Sequence, residues 1–147
     1  MLVIENKKAD IDPQDLLHLQ KDTLILSRED RGRGRQRVRT QKGIEIALAL
    51  PTGTILKDGD VLHVDSRSYI TVEAAKEEVI VIRPGDIAEG ALIAYEIGNR
   101  HLPISLREQM ILTPRNGMLE EFLKRKGIDY QCTEEIFEPT PRAHAHG

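Results

Sequence analysis

Apolar residues in the first half of the chain recur at alternate positions in short runs. Residues 24–26 are Leu-Ile-Leu, a β-rich run. Over residues 36–41, Val38 and Thr40 alternate with Arg37 and Arg39, and Ile44, Ile46, Leu48 and Leu50 follow with the same period. Lys42-Gly43 lies between the two runs, so they predict a hairpin. Pro51-Thr52-Gly53 ends it. Lys57-Asp58-Gly59-Asp60 signals a second turn before Val61, Leu62 and Val64, and Ser66-Arg67-Ser68 a third before residues 69–72. Short strands between regular turn signals predict a small all-β unit. Asp12-Pro13-Gln14-Asp15 with Leu16 predicts one helical turn at most.

The pattern changes near Ala74-Ala75-Lys76. Residues 78–83, centred on Val79-Ile80-Val81-Ile82, predict a strand that Pro84-Gly85 ends. Asp86 is a candidate N-cap, with Glu89 three residues later as in a capping box. Ile87, Ala91, Leu92, Ala94 and Tyr95 then recur at helical spacing, and Gly98 is the expected stop. Residues 102–106 and 110–112 predict two short strands. Asn116 or Gly117 opens a second helix with Met118, Leu119, Phe122 and Leu123 as its apolar positions. Lys124-Arg125-Lys126-Gly127 closes it, with basic residues where the helix dipole favours them. Residues 129–137 predict a last strand. The order β-α-β-β-α-β is that of a ferredoxin-like split βαβ unit. The expected class is therefore α+β: a small all-β N-terminal domain over residues 1–74, a ferredoxin-like βαββαβ domain over 75–138, and a tail over 139–147.

Composition narrows the possibilities. Of the 147 residues, 39% are hydrophobic and 31% charged, as in a soluble globular chain of one or two domains. Aromatics are 3%, Trp is absent and the net charge is −3, which argues against base-stacking platforms and a strongly basic nucleic-acid surface. The N-terminus lacks the pattern of a signal peptide, and no segment approaches the roughly 18 apolar residues of a membrane span. One cysteine, Cys132, excludes an internal disulfide. These features lead us to expect a cytoplasmic protein with no nucleic-acid or membrane partner.

Three of the five histidines carry the candidate chemistry. His101 follows the helix stop in Tyr95-Glu96-Ile97-Gly98-Asn99-Arg100-His101, and His144 and His146 lie in the terminal Ala143-His144-Ala145-His146-Gly147. Side chains two apart project to the same side of an extended segment. Neutral imidazole suits nickel, zinc and copper. A tail pair alone binds weakly, because ordering it costs entropy; a fixed histidine lets the pair close a site. One chain offers three nitrogens at most. A symmetric dimer with two copies of His101 near its axis would offer four to six ligands. His18 reads as a surface residue, His63 as a strand residue and Cys132 as a small core residue. Asn99 and Arg100 either shape the loop that presents His101 or simply end the helix, Asn99 in a left-handed conformation and Arg100 against the dipole. The arginines between Arg31 and Arg39 suit an acidic partner, but read more simply as a mobile approach to the hairpin with a solvated face.

The residues Glu96-Ile97-Gly98-Asn99-Arg100-His101 resemble the signature of the UreE family, the urease accessory nickel metallochaperones. Arg35-Gln36-Arg37-Val38-Arg39-Thr40, Gly43, Ile46-Ala47-Leu48 and residues 54–62 are similar to that family's N-terminal domain, and Phe137-Glu138-Pro139 before a histidine-bearing tail is similar to its end. The resemblance implies a homodimer joined through ferredoxin-like domains that bring two copies of His101 together. It implies a peptide-binding-like N-terminal domain and metal binding by His144 and His146. It also implies transfer of Ni²⁺ to the urease apoprotein with other accessory proteins, notably the accessory GTPase; Zn²⁺ or Cu²⁺ would also bind in vitro. With only two tail histidines, the chain departs from members that end in long histidine-rich tails, which favours transfer of one ion per dimer over storage. No phosphate-cradling loop and no nucleophile–base pair is evident, so the chain is expected not to be an enzyme. The competing expectation is a non-catalytic interaction module of the urease maturation complex whose histidines are incidental. A third is a small phosphohydrolase or acyl-transfer enzyme on the ferredoxin-like domain, with Asn99 and Arg100 gripping an anion.

Overall fold

A computed structural model describes residues 1–141. The chain divides into two compact units, Met1–Ala75 and Lys76–Gly147.

The first unit contains β1 (Leu2–Ile4), β2 (Gln20–Leu26), the one-turn helix α1 (Arg28–Arg31), β3 (Arg35–Arg39), β4 (Glu45–Ala49), β5 (Val61–Val64) and β6 (Ser68–Ala74). A single 3-10 turn, Pro13–Leu16, stands where one helical turn was expected. The strands form two three-stranded sheets, β1-β4-β3 and β2-β6-β5. In each sheet the central strand has one parallel and one antiparallel neighbour. Ile4, Ile46 and Leu48 of one sheet and Leu24, Leu26, Leu62, Ile70 and Val72 of the other share one core. The hairpin β3–β4 turns at Gly43, whose φ of 91° is a conformation that glycine adopts without a steric penalty. Ile44, expected in the buried stripe, precedes β4 and is exposed. The arginine run is more tightly held than expected. The Ser27 hydroxyl caps α1 by accepting from the Asp30 N–H, and Arg31 is only 2% exposed, with Nη1 3.4 Å from the Leu56 carbonyl. Arg33 pairs with Glu29 and Asp30, which leaves Arg35 and Arg37 on the exposed face of β3.

The second unit runs β7 (Glu77–Ile82), α2 (Ile87–Asn99), β8 (Ser105–Arg107), β9 (Met110–Pro114), α3 (Gly117–Arg125) and β10 (Tyr130–Glu135). Its sheet has the order β10-β7-β9-β8 with every neighbouring pair antiparallel. This is the ferredoxin-like arrangement. On one sheet face Ile80, Ile82 and Ile111 pack with Ile93 and Ile97 of α2 and Leu119, Phe122 and Leu123 of α3. On the other, Val79, Val81 and Leu112 pack under Phe137.

Three expectations need correction. First, the buried side of α2 is Ile93 and Ile97, an i, i+4 pair, and not the stripe through Ile87, Ala91, Leu92 and Tyr95. That stripe faces outward, with Ile87 91% and Tyr95 66% exposed. Second, residues 102–104 are not a strand; β8 begins at Ser105, because Leu102 is still engaged in ending α2 and Pro103 has no N–H to donate. Third, Cys132 is exposed rather than in the core, since it lies on β10, the edge of the sheet, 3.8 Å from Glu120 Oε1. Among the described residues no helix is long and apolar enough to cross a membrane.

Candidate metal centre

The site is built at the end of α2. The helix starts where expected: the Asp86 side chain accepts from the Glu89 N–H at 2.8 Å. Glu89 reaches back, but to the Gly85 N–H at 3.1 Å, one residue earlier than in a standard capping box.

The other end differs from expectation in a way that concerns the site. Gly98 does not stop the helix. α2 continues to Asn99, Arg100 is its C-cap, and the left-handed residue is His101, at φ 57°. The His101 N–H donates to the Gly98 carbonyl at 3.0 Å, and the Leu102 N–H to the Ile97 carbonyl at 3.2 Å. These are the two bonds of a Schellman motif, and Leu102 packs on the core that contains Ile97, the apolar contact that accompanies the motif. Glycine is the usual occupant of the left-handed position, since a Cβ there meets the following carbonyl. Here a histidine occupies it, on the surface.

Arg100 stiffens this corner. Its Nη1 donates to the Glu96 carbonyl at 3.2 Å and pairs with the Glu96 carboxylate, and its guanidinium lies 5.5 Å from the centre of the Phe122 ring. Folding back on the last turn both neutralises the helix end and holds the backbone that leads into His101. Asn99 is exposed and helical, not left-handed.

Beside His101 is a hollow of about 500 Å³, lined by Gly98, His101, Leu102, Pro103, Ile104, Pro139 and Thr140. The chain thus returns to His101 just before its end. His144 and His146 lie outside the described residues. Among the described residues, no group of three His, Cys, Asp or Glu side chains converges on a point that would hold a metal ion. His18 is exposed, and His63 on β5 has Nε2 3.6 Å from Asp65 Oδ2.

The other titratable cluster of this unit surrounds Glu120. Burial pushes its carboxyl up, but hydrogen bonds from Arg115 and Tyr130 outweigh that and hold it below its ordinary value of 4.5. In the first unit, backbone N–H groups of Arg67 and Ser68 lower Asp65, and Arg39 lowers Glu45. Glu120 is not among the residues that line the His101 hollow.

Sequence reading missed two features of this region. The apolar stripe read from the sequence is the outward one, and Ile93 and Ile97, a second apolar pair at helical spacing, form the buried side. Thr140 carried no sequence signal at all.

Comparison with known proteins agrees with this architecture. The model of the UreE urease accessory protein N-terminal domain matches residues 3–75, and that of the C-terminal domain matches residues 77–147. A urease accessory protein UreE of Bacillus cereus is 33% identical over 142 residues, covering 97% of this chain and 93% of the relative. One from a Synechococcus strain is 38% identical over 129 residues, 87% of each chain. One from Burkholderia ambifaria is 33% identical over 125 residues, 85% of this chain but 62% of the longer relative. The chain belongs to the UreE urease accessory protein family.

Proposed function

We propose that this protein is a nickel metallochaperone. It captures Ni²⁺ through His101 at a homodimer interface, with His144 and His146 completing the ligand set, and delivers the ion for assembly of the urease metallocentre. It performs no catalysis of its own, works in the cytoplasm, and hands the ion on to the urease apoprotein with other accessory proteins, notably the accessory GTPase. Zn²⁺ and Cu²⁺ compete for the same imidazoles in vitro.

The observation that carries this reading is the backbone of His101. The Schellman motif requires a left-handed residue at this position, and the chain places a histidine there, at φ 57°, where glycine is the usual occupant. What the strained position provides is an imidazole fixed on the surface by the Schellman bonds rather than carried on a free loop. A transfer site needs such a fixed point together with ligands that come and go; a closed four-ligand cage would not release its ion. His101 alone is one ligand, so the rest must come from a second copy of His101 and from the tail. The outward apolar face of α2, which leads directly to His101, supports the dimer.

The test is a calorimetric Ni²⁺ titration with the association state fixed by sedimentation. The expected result is about one tight ion per dimer, lost in His101→Ala. Tight binding indifferent to His101 would instead favour the interaction module.

Acid should release the ion without unfolding the domain. Imidazole must be neutral to ligate, so affinity falls as pH drops through about 6 to 7. Glu120 has a lowered pKa, so its contribution to stability is fully present above 4.5 and is lost only as pH falls through its lower folded value. At pH 5.5 the protein should therefore keep its circular dichroism spectrum while binding Ni²⁺ at least about tenfold more weakly than at pH 7.5. Affinity unchanged between these two pH values would count against histidine ligation.

A further inference from the structure

The arginine row of β3 stands on an unpaired edge of its sheet. β3 closes the sheet β1-β4-β3, and among the described residues β4 is the one strand that pairs with it. Backbone groups alternate in direction along an antiparallel pair. The Leu50 N–H donates to the Gly34 carbonyl and the Thr40 N–H to the Ile44 carbonyl, each at 2.9 Å, so the even-numbered residues of β3 point their backbone groups at β4. Arg35, Arg37 and Arg39 therefore turn theirs to the open edge. Their side chains are exposed and share one face, about 6.8 Å apart at each step of two residues. On β4 the residues opposite them are Ala49, Ala47 and Glu45. Of the three, Arg39 alone finds an acid there, with Nη2 2.7 Å from Glu45 Oε1. Arg35 and Arg37 face alanines and form no ion pair among the described residues. The strand is held from its other face. Val38 packs on the core, and Gln36 Nε2 donates to the Asp30 carbonyl at 2.7 Å and to the Arg33 carbonyl at 2.9 Å.

We propose that this edge docks an extended acidic segment of a partner protein, which adds to the sheet as a strand beside β3 and sets carboxylates at alternate positions against Arg35 and Arg37. In such strand addition the backbone supplies affinity and the side chains select the partner. The three outward residues of β3 offer three N–H and three C=O groups to an incoming strand. Same-face neighbours across the new pair come within about 5.5 Å at Cβ, the relation that Arg39 and Glu45 already have on the inner side. Carboxylates two residues apart match the step from Arg35 to Arg37. The residues between them fall on the face where Val38 meets the core, which favours apolar side chains there. A second copy of β3 is a poor occupant, because it would set arginine against arginine. Charge on an edge strand opposes self-pairing in this way, and the same charge favours an acidic strand. The inference does not depend on the metal reading: Arg35 and Arg37 belong to the first unit and His101 to the second.

The experiment is fluorescence anisotropy of the full chain with a labelled peptide in which glutamate alternates with valine. It is compared with a peptide of the same composition whose glutamates form one block, with the alternating peptide N-methylated along its backbone, and with a peptide in which lysine replaces glutamate. The variant is Arg35→Glu/Arg37→Glu, and the control is Arg67→Glu, an exposed arginine of the same unit. Circular dichroism checks the fold of each. We expect the parent and Arg67→Glu to bind the alternating peptide with a Kd of about 100 µM or tighter, and the double variant to bind it at least about tenfold more weakly. The double variant should take up the lysine peptide instead. The blocked and N-methylated peptides should bind the parent at least about tenfold more weakly than the alternating one, because neither can meet both the arginines and the backbone. Equal binding of either would mean charge attraction without strand pairing and would overturn the proposal. So would an alternating peptide that does not bind, or that binds parent and double variant alike. A DNA oligonucleotide of thymidines that bound as tightly would make this a phosphate-binding surface and would also overturn it.

Discussion

Replacing His101 with glycine should make the second unit more stable and leave it unable to bind nickel tightly. The two effects have separate causes. At φ 57° a residue with a Cβ is strained by about 1–2 kcal/mol, and glycine removes that strain. Glycine also loses more chain entropy on folding, which returns about 0.4–1 kcal/mol. The net gain is about 0.5–1 kcal/mol, a rise of several degrees in the thermal midpoint of a domain this size. Alanine keeps the Cβ and so keeps the strain; His101→Ala should lose the metal without gaining stability. Asparagine, which tolerates the left-handed region, should fall between them. Calorimetric scans of the three variants without metal, paired with Ni²⁺ titrations, read both effects. If His101→Gly were less stable than the parent, the imidazole would be making a stabilising contact, and the argument that function holds it in place would fail.

The element order of the second unit was legible because each boundary has a local chemical signature. Asp86 and Asn116 cap their helices through side-chain bonds to residues three further on, and Gly127 takes a φ of 69° just past α3. The hairpin β3–β4 followed from alternation around Lys42-Gly43. What was not legible depended on residues distant in sequence. β1 is three residues long and exists because β4 lies parallel to it. The buried face of α2 was ambiguous because the helix has apolar residues on two sides, and only the sheet decides which side it covers. Gly98 reads as the end of α2 because glycine is the usual signal; the packing of Leu102 on the core that contains Ile97 instead sets the left-handed position at His101. For the candidate site, His101 stood out as a residue, but its conformation did not. The crossing of the sheet by Phe137 and the return to His101 at Thr140 are non-local and left no trace in the pattern.

If two copies of α2 pair as proposed, a glutamate at Tyr95 should separate the dimer and, with it, abolish a shared nickel site. The outward stripe of α2 gives the direction of the argument. A two-fold contact is isologous, so one substitution places two charges in the interface. Tyr95 is a large aromatic that is 66% exposed in the single chain, the kind of residue that dominates interface energetics. Position along the helix matters as well. At 1.5 Å per residue, His101 is about 9 Å of helical rise from Tyr95 but about 21 Å from Ile87. Two copies of His101 can share an ion only if the two-fold axis passes near the C-terminal end of α2. Tyr95→Glu should therefore raise the dimer dissociation constant by at least about 30-fold, or 2 kcal/mol. Ile87→Glu, although its parent residue is more exposed, should raise it far less. Sedimentation at several concentrations measures both, and titration of the separated Tyr95→Glu chain should show only weak binding by single chains. The reverse order, with Ile87 critical and Tyr95 neutral, would place the axis at the other end of the helix, too far from His101 for a shared ion, and the metal centre would have to be completed within one chain.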